Sequence, residues 1–465
     1  MRIHFLGANR QVTGSRYCIE TNESRVMIDC GLFQERQFTS RNWHNCPVCE
    51  AEIDAMIVTH AHIDHCGLIP RLVKKGFNGP IFCTSPTADL MESMLADSAR
   101  IQEEDAAYKN KRHRKEQRDG RKEVESLYSV QDVNDTIPLF QGCEFDQPIQ
   151  VTPDVSVVFR TAGHILGSAM LEVTATEEGR TKKIAFSGDI GQWDKPLIHD
   201  PTLLTEADYI VMESTYGDRL HKEAGDIKTQ LEHVINETFR RKGNVVIPTF
   251  AVERAQEIIY YISELVNEEK IPAAPVYLDS PMAVDVTKVF KKHRNRFDDD
   301  TWERINAGDS PLHFRSLQFA RTADQSKAIN EEDHPCIIMS TSGMCTAGRI
   351  KHHLKRNLPR RESTILFVGY QAHGTLGRQI VDKRPEVRIH GRNVEVKAQI
   401  AQIFGFSGHA DRNGLMKWVD AFQRPPKRLF LTHGDEEAAL SLADHIRSTK
   451  KWDVLIPDYE SSADL

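Results

Sequence analysis

The sequence contains no long hydrophobic run: no window of about 18 apolar residues exists, so a membrane-spanning helix is not predicted. Cysteine is scarce, with nine residues scattered over 465 positions. That odd count fits a reducing compartment better than a disulfide scaffold. The first residues read as a strand and a glycine turn rather than a secretory signal, so a cytoplasmic location is expected.

The sequence also lacks an excess of positive charge, with 60 Lys and Arg against 67 Asp and Glu, a net −7. Taken alone, this sum argues against a polyanionic partner. The distribution is uneven, however. Lys109–Lys122 holds eight basic and two acidic residues, and Arg349–Arg392 holds eleven and three. We therefore do not exclude a nucleic acid, although a solvated helix end remains an alternative for Lys109–Lys122.

The length predicts two domains, one of them inserted into the other. Residues 1–208 show short strand patterns that form the first part of one domain. Within residues 209–394 a strand followed by a helix occurs four times, which predicts a parallel sheet covered by helices. Strand patterns resume in residues 395–465, which are expected to close the first domain.

Small residues follow the strands of the predicted inserted domain. Backbone N–H groups at such turns can meet phosphate, although the same residues are also ordinary turn and cap residues. The candidates for phosphate contacts are Ser340, Thr341, Ser342, Gly343, Thr375 and Arg378.

The strongest local signal is the hexapeptide from His60 to His65, which places three histidines and Asp64 just after a buried strand pattern. Such a group cannot be buried together without a cation to neutralise the carboxylate and engage the imidazole lone pairs. Imidazole and carboxylate without thiolate favour an open, catalytic zinc-like site over a structural one. By contrast, Cys46 and Cys49 form a lone CxxC pair, for which an ordinary loop is favoured over a zinc or redox site.

Further candidate ligands stand beside glycine at other strand ends, namely His164, Asp189 and His433. With the hexapeptide they supply seven side chains, enough for two metals if Asp189 bridges them. Two cations about 3.5–4 Å apart that share a hydroxide form a hydrolytic centre.

At this point the sequence resembles the metallo-β-lactamase superfamily, whose HxHxDH signature is matched by His60–His65. It is still more similar to the β-CASP subfamily of nucleic-acid nucleases, over essentially the whole chain. Ser340–Met344 and Gly374–Arg378 resemble the branch that contains the polyadenylation-complex cleavage subunit and its prokaryotic relatives, without the KH domains appended in that branch. The positions that match the other family motifs are Asp29, His164, Asp189, Glu213, His409 and His433.

The resemblance implies an αββα metallo-β-lactamase sandwich with an inserted parallel-sheet α/β domain. It implies two Zn²⁺ ions per chain that share Asp189, with a metal-bridging hydroxide as the nucleophile and Asp64 among the catalytic residues. It further implies that His409 is the general acid, that Glu213 orients it, and that Asp29 supports the ligands from behind. The implied ligands are His60, His62, His164 and Asp189 for one metal, and Asp64, His65, Asp189 and His433 for the other.

The function expected from this resemblance is hydrolysis of single-stranded RNA in a cleft between the two domains, by endonuclease action, 5′-exonuclease action or both. One alternative is a small-molecule hydrolase of thioesters or lactones from the same superfamily. Another is a non-catalytic RNA-binding subunit. A homodimer is an option left open, and no small organic cofactor or membrane partner is expected.

Overall fold

The computed structural model describes residues 1–115, 123–221 and 225–465. The chain forms two compact units. The first unit comprises residues 1–193, 200–220 and 409–465, and the second comprises residues 194–199 and 221–408. One unit is therefore inserted into the other, as the sequence predicts.

The first unit contains two seven-stranded sheets. The first sheet has the order β22-β1-β2-β3-β4-β5-β6, in which the last strand of the chain pairs antiparallel with the first. Its strands are β1 (Arg2–Gly7), β2 (Arg16–Glu20), β3 (Arg25–Ile28), β4 (Ala55–Ile57), β5 (Ile81–Thr84), β6 (Phe140–Cys143) and β22 (Ser461–Asp464).

The second sheet has the order β21-β20-β11-β10-β9-β8-β7. Its strands are β7 (Pro148–Thr152), β8 (Val155–Thr161), β9 (Ala169–Glu177), β10 (Arg180–Phe186), β11 (Tyr209–Glu213), β20 (Arg428–Thr432) and β21 (Val454–Leu455). Strands β10, β11 and β20 run parallel, so their carboxyl ends meet at one edge of the sheet.

The two sheets pack face to face around one apolar core. Phe5, Ile28 and Ile57 of the first sheet meet Phe186 and Phe430 of the second. On the outer face of the second sheet, α12 (Arg412–Asp420) and α13 (Glu436–Lys450) bury an apolar stripe. Helices α1 (Ile63–Cys66), α2 (Ile69–Lys74), α3 (Ser85–Lys115) and α4 (Val130–Thr136) accompany the first sheet. This is the expected αββα sandwich.

The second unit is built on a six-stranded parallel sheet of order β14-β13-β15-β12-β16-β19. Its central strands are mostly apolar and buried at every position, as expected where helices cover a parallel sheet. The strands are β12 (Val245–Pro248), β13 (Val276–Asp279), β14 (Leu317–Phe319), β15 (Ile337–Ser340), β16 (Thr364–Phe367) and β19 (Gln399–Gln402), beside a separate hairpin of β17 (Glu386–Ile389) and β18 (Arg392–Glu395).

The helices of the second unit alternate with its strands and confirm the strand–helix repeat. They are α5 (Ile227–Arg240), α6 (Arg254–Asn267), α7 (Pro281–Lys292), α8 (Asp299–Asn306), α9 (Ala323–Ile329), α10 (Ile350–Asn357) and α11 (Leu376–Val381). Short 3₁₀ turns occupy Thr39–Trp43, Glu50–Glu52, Ile137–Leu139 and Arg294–Arg296. In the described part of the chain no helix combines the length and apolar character needed to cross a membrane.

The two units divide at 220/221 and 408/409, further along the chain than the boundaries expected from the sequence at 208/209 and 394/395. Strand β11 lies within residues 209–394, which were expected to form the inserted domain, but it pairs with β10 and β20 of the first unit. Strand β19 lies within residues 395–465, which were expected to close the first domain, but it pairs with β16 of the second unit. Local sequence pattern shows where strands begin, but it does not show which sheet receives them.

Candidate metal centre

The candidate ligands lie at strand ends of the first unit. His60 and His62 stand in the loop after β4, and Asp64 and His65 open the short helix α1. His164 follows β8, Asp189 follows β10, and His433 comes directly after β20. All seven side chains predicted from the sequence are thus brought together from four separate stretches of chain.

Two glycines let the ligand loops approach each other closely. A Cβ atom at Gly31 would lie 1.6 Å from the carbonyl oxygen of Asp64, and one at Gly191 would lie 1.6 Å from the carbonyl oxygen of Gly163. No other residue fits at either position without displacing the backbone beside a ligand. These close contacts therefore determine the positions of the loops that carry Asp64 and His164.

The first group of ligand atoms comes from His60, His62, His164 and Asp189. Nδ1 of His62 lies 3.2 Å from Nε2 of His60 and 3.0 Å from Nε2 of His164. Oδ2 of Asp189 lies 3.3 Å from Nε2 of His60 and 3.4 Å from that of His164. Ligands about 2.0–2.1 Å from a tetrahedral zinc stand about 3.3 Å apart, so the spacing fits such an ion.

The second group comes from Asp64, His65 and His433. Nε2 of His433 lies 3.5 Å from Oδ2 of Asp64. The other oxygen of Asp189, Oδ1, faces this group, at 3.2 Å from Nε2 of His65 and 3.6 Å from Nδ1 of His433. The two carboxylate oxygens of Asp189 therefore face different groups of candidate ligand atoms.

The hydrogen bonding and the protonation of the candidate ligands both favour metal binding. Oδ1 of Asp189 and Nε2 of His433 are buried without a hydrogen-bond partner in the described structure, which is costly unless a cation engages them. Burial, reinforced by neighbouring histidines, lowers the pKa of His60 to about 3. Burial likewise lowers the pKa of His62 to about 4. Neutral imidazoles of this kind offer lone pairs to a metal.

Asp29 stands behind the ligands, at the end of β3. Its carboxylate accepts hydrogen bonds from the backbone N–H of Thr59 (2.8 Å) and the hydroxyl of Thr59 (2.8 Å), and Oδ2 lies 2.7 Å from Nδ1 of His65. With Nδ1 held by Asp29, Nε2 of His65 is the nitrogen that faces Asp189. A carboxylate behind a histidine fixes the ring and its tautomer in many metal sites.

Glu213 and His409 form a separate pair beside the first group. Glu213 ends β11, is fully buried, and accepts a hydrogen bond of 2.5 Å from the backbone N–H of Ile190. Nδ1 of His409 lies 3.2 Å from Oε2 of Glu213, while its Nε2 points toward the site, 3.9 Å from Oδ2 of Asp189. Burial alone would lower the pKa of His409, but the charges of Glu213 and Asp189 outweigh it and raise the pKa to about 9.

Two supporting residues were missed from the sequence. The hydroxyl of Thr59 lies 3.1 Å from Nδ1 of His60, and that of Thr215 lies 3.1 Å from Nδ1 of His433. In the sequence, Thr59 stands directly before the hexapeptide and Thr215 stands two residues after Glu213, and these positions were the signal that could have identified them. Threonine at a strand end is too common for that signal to have been decisive.

The predicted phosphate turn lies in the second unit. Ser340 is fully buried and donates its hydroxyl to the carbonyl of Asp279, so it supports the turn from inside. The hydroxyl of Thr341 lies 3.0 Å from that of Ser280. The Ser342 hydroxyl accepts from the backbone N–H groups of Thr346 and Ala347.

A second turn joins the first. Thr375 caps α11, and Arg378 pairs with Asp382 at 2.9 Å. Nε2 of Gln371 donates to the carbonyl of Gly343 at 3.0 Å, and the N–H of Gly377 donates to that of Met344 at 3.1 Å. The structure therefore brings together the two segments singled out in the sequence.

Two further segments are less informative. Cys46 is partly buried, Cys49 is exposed, and neither belongs to a group of potential ligand atoms among the described residues. The basic segment Lys109–Lys122 begins at the end of α3, and its residues 116–122 lie outside the described part of the chain.

Three family models match the chain in sequence order. A metallo-beta-lactamase superfamily domain matches residues 18–189, and a Beta-Casp domain matches residues 255–380. A Zn-dependent metallo-hydrolase RNA specificity domain matches residues 393–457. The matched regions contain the hexapeptide, the strand–helix repeats, and both His409 and His433.

Several relatives match almost the full chain. Ribonuclease TTHA0252 of Thermus thermophilus is 36% identical, covering 95% of each chain. The transcription termination factor FttA of Methanocaldococcus jannaschii is 33% identical, covering 98% of this chain and 70% of FttA. A crystal structure of a protein of unknown function from Enterococcus faecalis shares the fold, with a TM-score of 0.56 and 12% identity over 100% of this chain and 99% of that one. The chain thus belongs to the β-CASP ribonuclease family of the metallo-β-lactamase superfamily.

Proposed function

We propose that this metal-dependent RNA nuclease is a two-zinc enzyme that hydrolyses phosphodiester bonds of single-stranded RNA. The observation that carries the proposal is the position of Asp189, whose two oxygens face two separate groups of ligand atoms. One ion would be held by His60, His62, His164 and Asp189, and the other by Asp64, His65, Asp189 and His433. When bound, two such ions lower the pKa of water and stabilise the charge that develops on the phosphate.

Zinc is the metal that the donor set favours. The donors are imidazole nitrogens and carboxylate oxygens without thiolate, and the first group has tetrahedral spacing. Asp64 is the most exposed member of the second group, with 19% of its side chain exposed. We assign Asp64 a catalytic role in addition to metal binding, because water can reach its carboxylate.

We assign His409 as the general acid. Its Nδ1 is occupied by Glu213, which leaves Nε2 to deliver a proton toward the site. The departing oxygen of a phosphodiester is a poor leaving group, so a positioned proton donor contributes about 10²–10⁴-fold to the rate. The negative charge of Glu213 keeps the His409 ring protonated near neutral pH.

The substrate assignment rests on the matched RNA specificity domain and on Ribonuclease TTHA0252. The alternative of a thioester or lactone hydrolase has no counterpart among these relatives. It also leaves unexplained why a buried glutamate should hold a charged histidine beside the metal ligands.

The decisive test is His409→Ala, compared with His313→Ala, which changes an exposed histidine of the second unit. His409→Ala should slow cleavage of end-labelled single-stranded RNA by about 10²–10⁴-fold. Its zinc content, measured by mass spectrometry of the purified protein, should stay close to two per chain. Loss of metal in this variant would identify His409 as a ligand and refute its role as the acid.

The same labelled RNAs can determine the mode of cleavage. Substrates with a 5′-monophosphate, a 5′-triphosphate or a 5′-hydroxyl separate an exonuclease, which releases mononucleotides, from an endonuclease, which gives a ladder. If wild-type protein with bound zinc cleaves none of these RNAs, the proposed function is wrong.

A further inference from the structure

Two aromatic side chains are exposed at one edge of the sheet in the second unit. Strands β12 and β16 are buried at every position, yet each is followed within three residues by an exposed aromatic ring. Phe250 is 39% exposed and Tyr370 is 54% exposed. Rings of this size that remain in water mark a contact surface when they stand together.

The ring of Phe250 is held in place by close packing. A Cβ atom at Gly343 would lie 2.9 Å from Cε2 of the Phe250 ring, so the ring rests on the backbone of the proposed phosphate turn. The guanidinium carbon of Arg254 lies 5.2 Å from the ring centroid. A Cβ atom at Gly369 would lie 2.6 Å from Nη1 of Arg254, so Arg254 lies beside the residue that precedes Tyr370.

The backbone of this region is also specialised. Glu253, between Phe250 and α6, has a φ of +63°, a conformation that is costly for a residue with a side chain. The neighbouring Gln371 donates to the carbonyl of Gly343 and so ties the Tyr370 segment to the turn. The exposed rings therefore stand on a turn that the surrounding structure holds in place.

We propose that Phe250 and Tyr370 form a stacking platform for the nucleobases of single-stranded RNA, with Arg254 adding positive charge to the same surface. The inference deepens the proposed function and rests on it. Every base has a π face, so aromatic rings bind single strands with little sequence preference. The basic segment Arg349–Arg392, with eleven basic and three acidic residues, supplies positive charge in the same unit for the accompanying phosphates.

The test measures RNA binding directly, by fluorescence anisotropy with the zinc-loaded full chain and oligoribonucleotides whose phosphorothioate linkages resist cleavage. Phe250→Leu and Tyr370→Leu keep an apolar side chain but remove the ring, whereas Tyr370→Phe keeps the ring. Trp302→Ala, which removes another exposed aromatic of the second unit, is the control. Each leucine variant should weaken binding of an oligoribonucleotide about ten-fold, from the typical worth of one stacked base.

An abasic oligomer of the same length and charge separates stacking from charge attraction. Wild type should prefer the RNA to the abasic oligomer, and the double leucine variant should lose that preference. The slope of log affinity against log salt should stay unchanged in the leucine variants, because they remove no charge. Arg254→Gln should reduce the slope by about 0.7.

The proposal is overturned if the leucine variants bind RNA as wild type does, or if Trp302→Ala weakens binding equally. It is also overturned if Tyr370→Phe loses as much affinity as Tyr370→Leu. These outcomes differ from failure of the proposed function, which would appear as absence of RNA cleavage by the zinc-loaded wild type. If the protein prefers the RNA to the abasic oligomer but cleaves no RNA, the stacking platform is supported and the proposed nuclease function is contradicted.

Discussion

Asp29 gives the sharpest test of how the metal centre is held, because it contacts the ligands without belonging to either group. Its carboxylate receives the N–H and O–H of Thr59 and lies 2.7 Å from Nδ1 of His65. Replacing it by alanine leaves the Thr59 N–H and the His65 N–H without an acceptor. The oxygen of the Thr59 hydroxyl can still accept from Nδ1 of His60, 3.1 Å away.

Two buried donors left without partners cost about 1–3 kcal/mol each, so Asp29→Ala should lower the free energy of unfolding by about 2–6 kcal/mol. Loss of a carboxylate behind a metal-binding histidine reduces metal affinity about 10–100-fold. Asp29→Asn should separate these effects. Its oxygen can still accept from Thr59, but its NH₂ group opposes a proton on Nδ1 of His65. The ring is then favoured as the tautomer whose proton lies on Nε2, the nitrogen that faces the metal.

The assay combines urea unfolding of the metal-free protein with zinc affinity measured by competition with a chelating dye. Asp154→Ala is a matched control, because Asp154 also accepts from Ser24 and Thr152 in the first unit. Asp154→Ala should lower the free energy of unfolding and leave the zinc affinity unchanged. Asp29→Asn should lower the zinc affinity and leave the free energy of unfolding nearly unchanged. Equal zinc affinity in Asp29→Asn, Asp29→Ala and wild type would refute the role given to Asp29.

Two further predictions concern other carboxylates. Asp189→Asn should reduce zinc binding by both ligand groups, because the two oxygens of Asp189 face both groups. His62→Ala, which changes a member of the first group, should remove one ion only. Mass spectrometry of the purified variants distinguishes these results, and loss of a single ion in Asp189→Asn would contradict a bridging role for Asp189. In the second unit, burial would raise the pKa of Asp279, but hydrogen bonds from His353, Ser326 and Arg349 outweigh it and lower the pKa. A lowered pKa contributes stability that is present above the unfolded value of about 3.9 and is lost as pH falls through the folded value. Asp279→Asn should therefore be less stable than wild type at about pH 6, with the difference shrinking below about pH 4; a constant difference across this range would refute it.

The fold and the hexapeptide at the centre of the candidate metal site could be predicted because both rest on local patterns. The strand–helix repeats identified the parallel sheet, and the hexapeptide identified the centre of the site before any geometry was known. His164, Asp189 and His433 were weaker signals, since histidine and aspartate in turns are common, and only their joint count suggested two metals. The family resemblance supplied the roles of Glu213 and His409, which residue type alone would have left in doubt.

The parts that sequence did not give depend on distant contacts. Strand β11 was expected to belong to the inserted domain but joins the first unit, because it pairs with β10 and β20, which lie on either side of the inserted residues in the chain. Phe250 and Tyr370 are separated by more than a hundred positions, and nothing in either segment shows that its ring stays in water. The buried hydroxyl of Ser340 is the converse case, a polar residue that looked available but is used by the backbone of a neighbouring strand.

The order of the chain has a consequence for synthesis of the protein. Strand β20 lies beside β11 in the middle of a sheet and carries His433 at its end, yet it is made after the whole inserted unit. A ribosome that has not reached this strand holds a chain with only part of the second ligand group. The second group of candidate ligands therefore stays incomplete until the whole inserted unit has been synthesised.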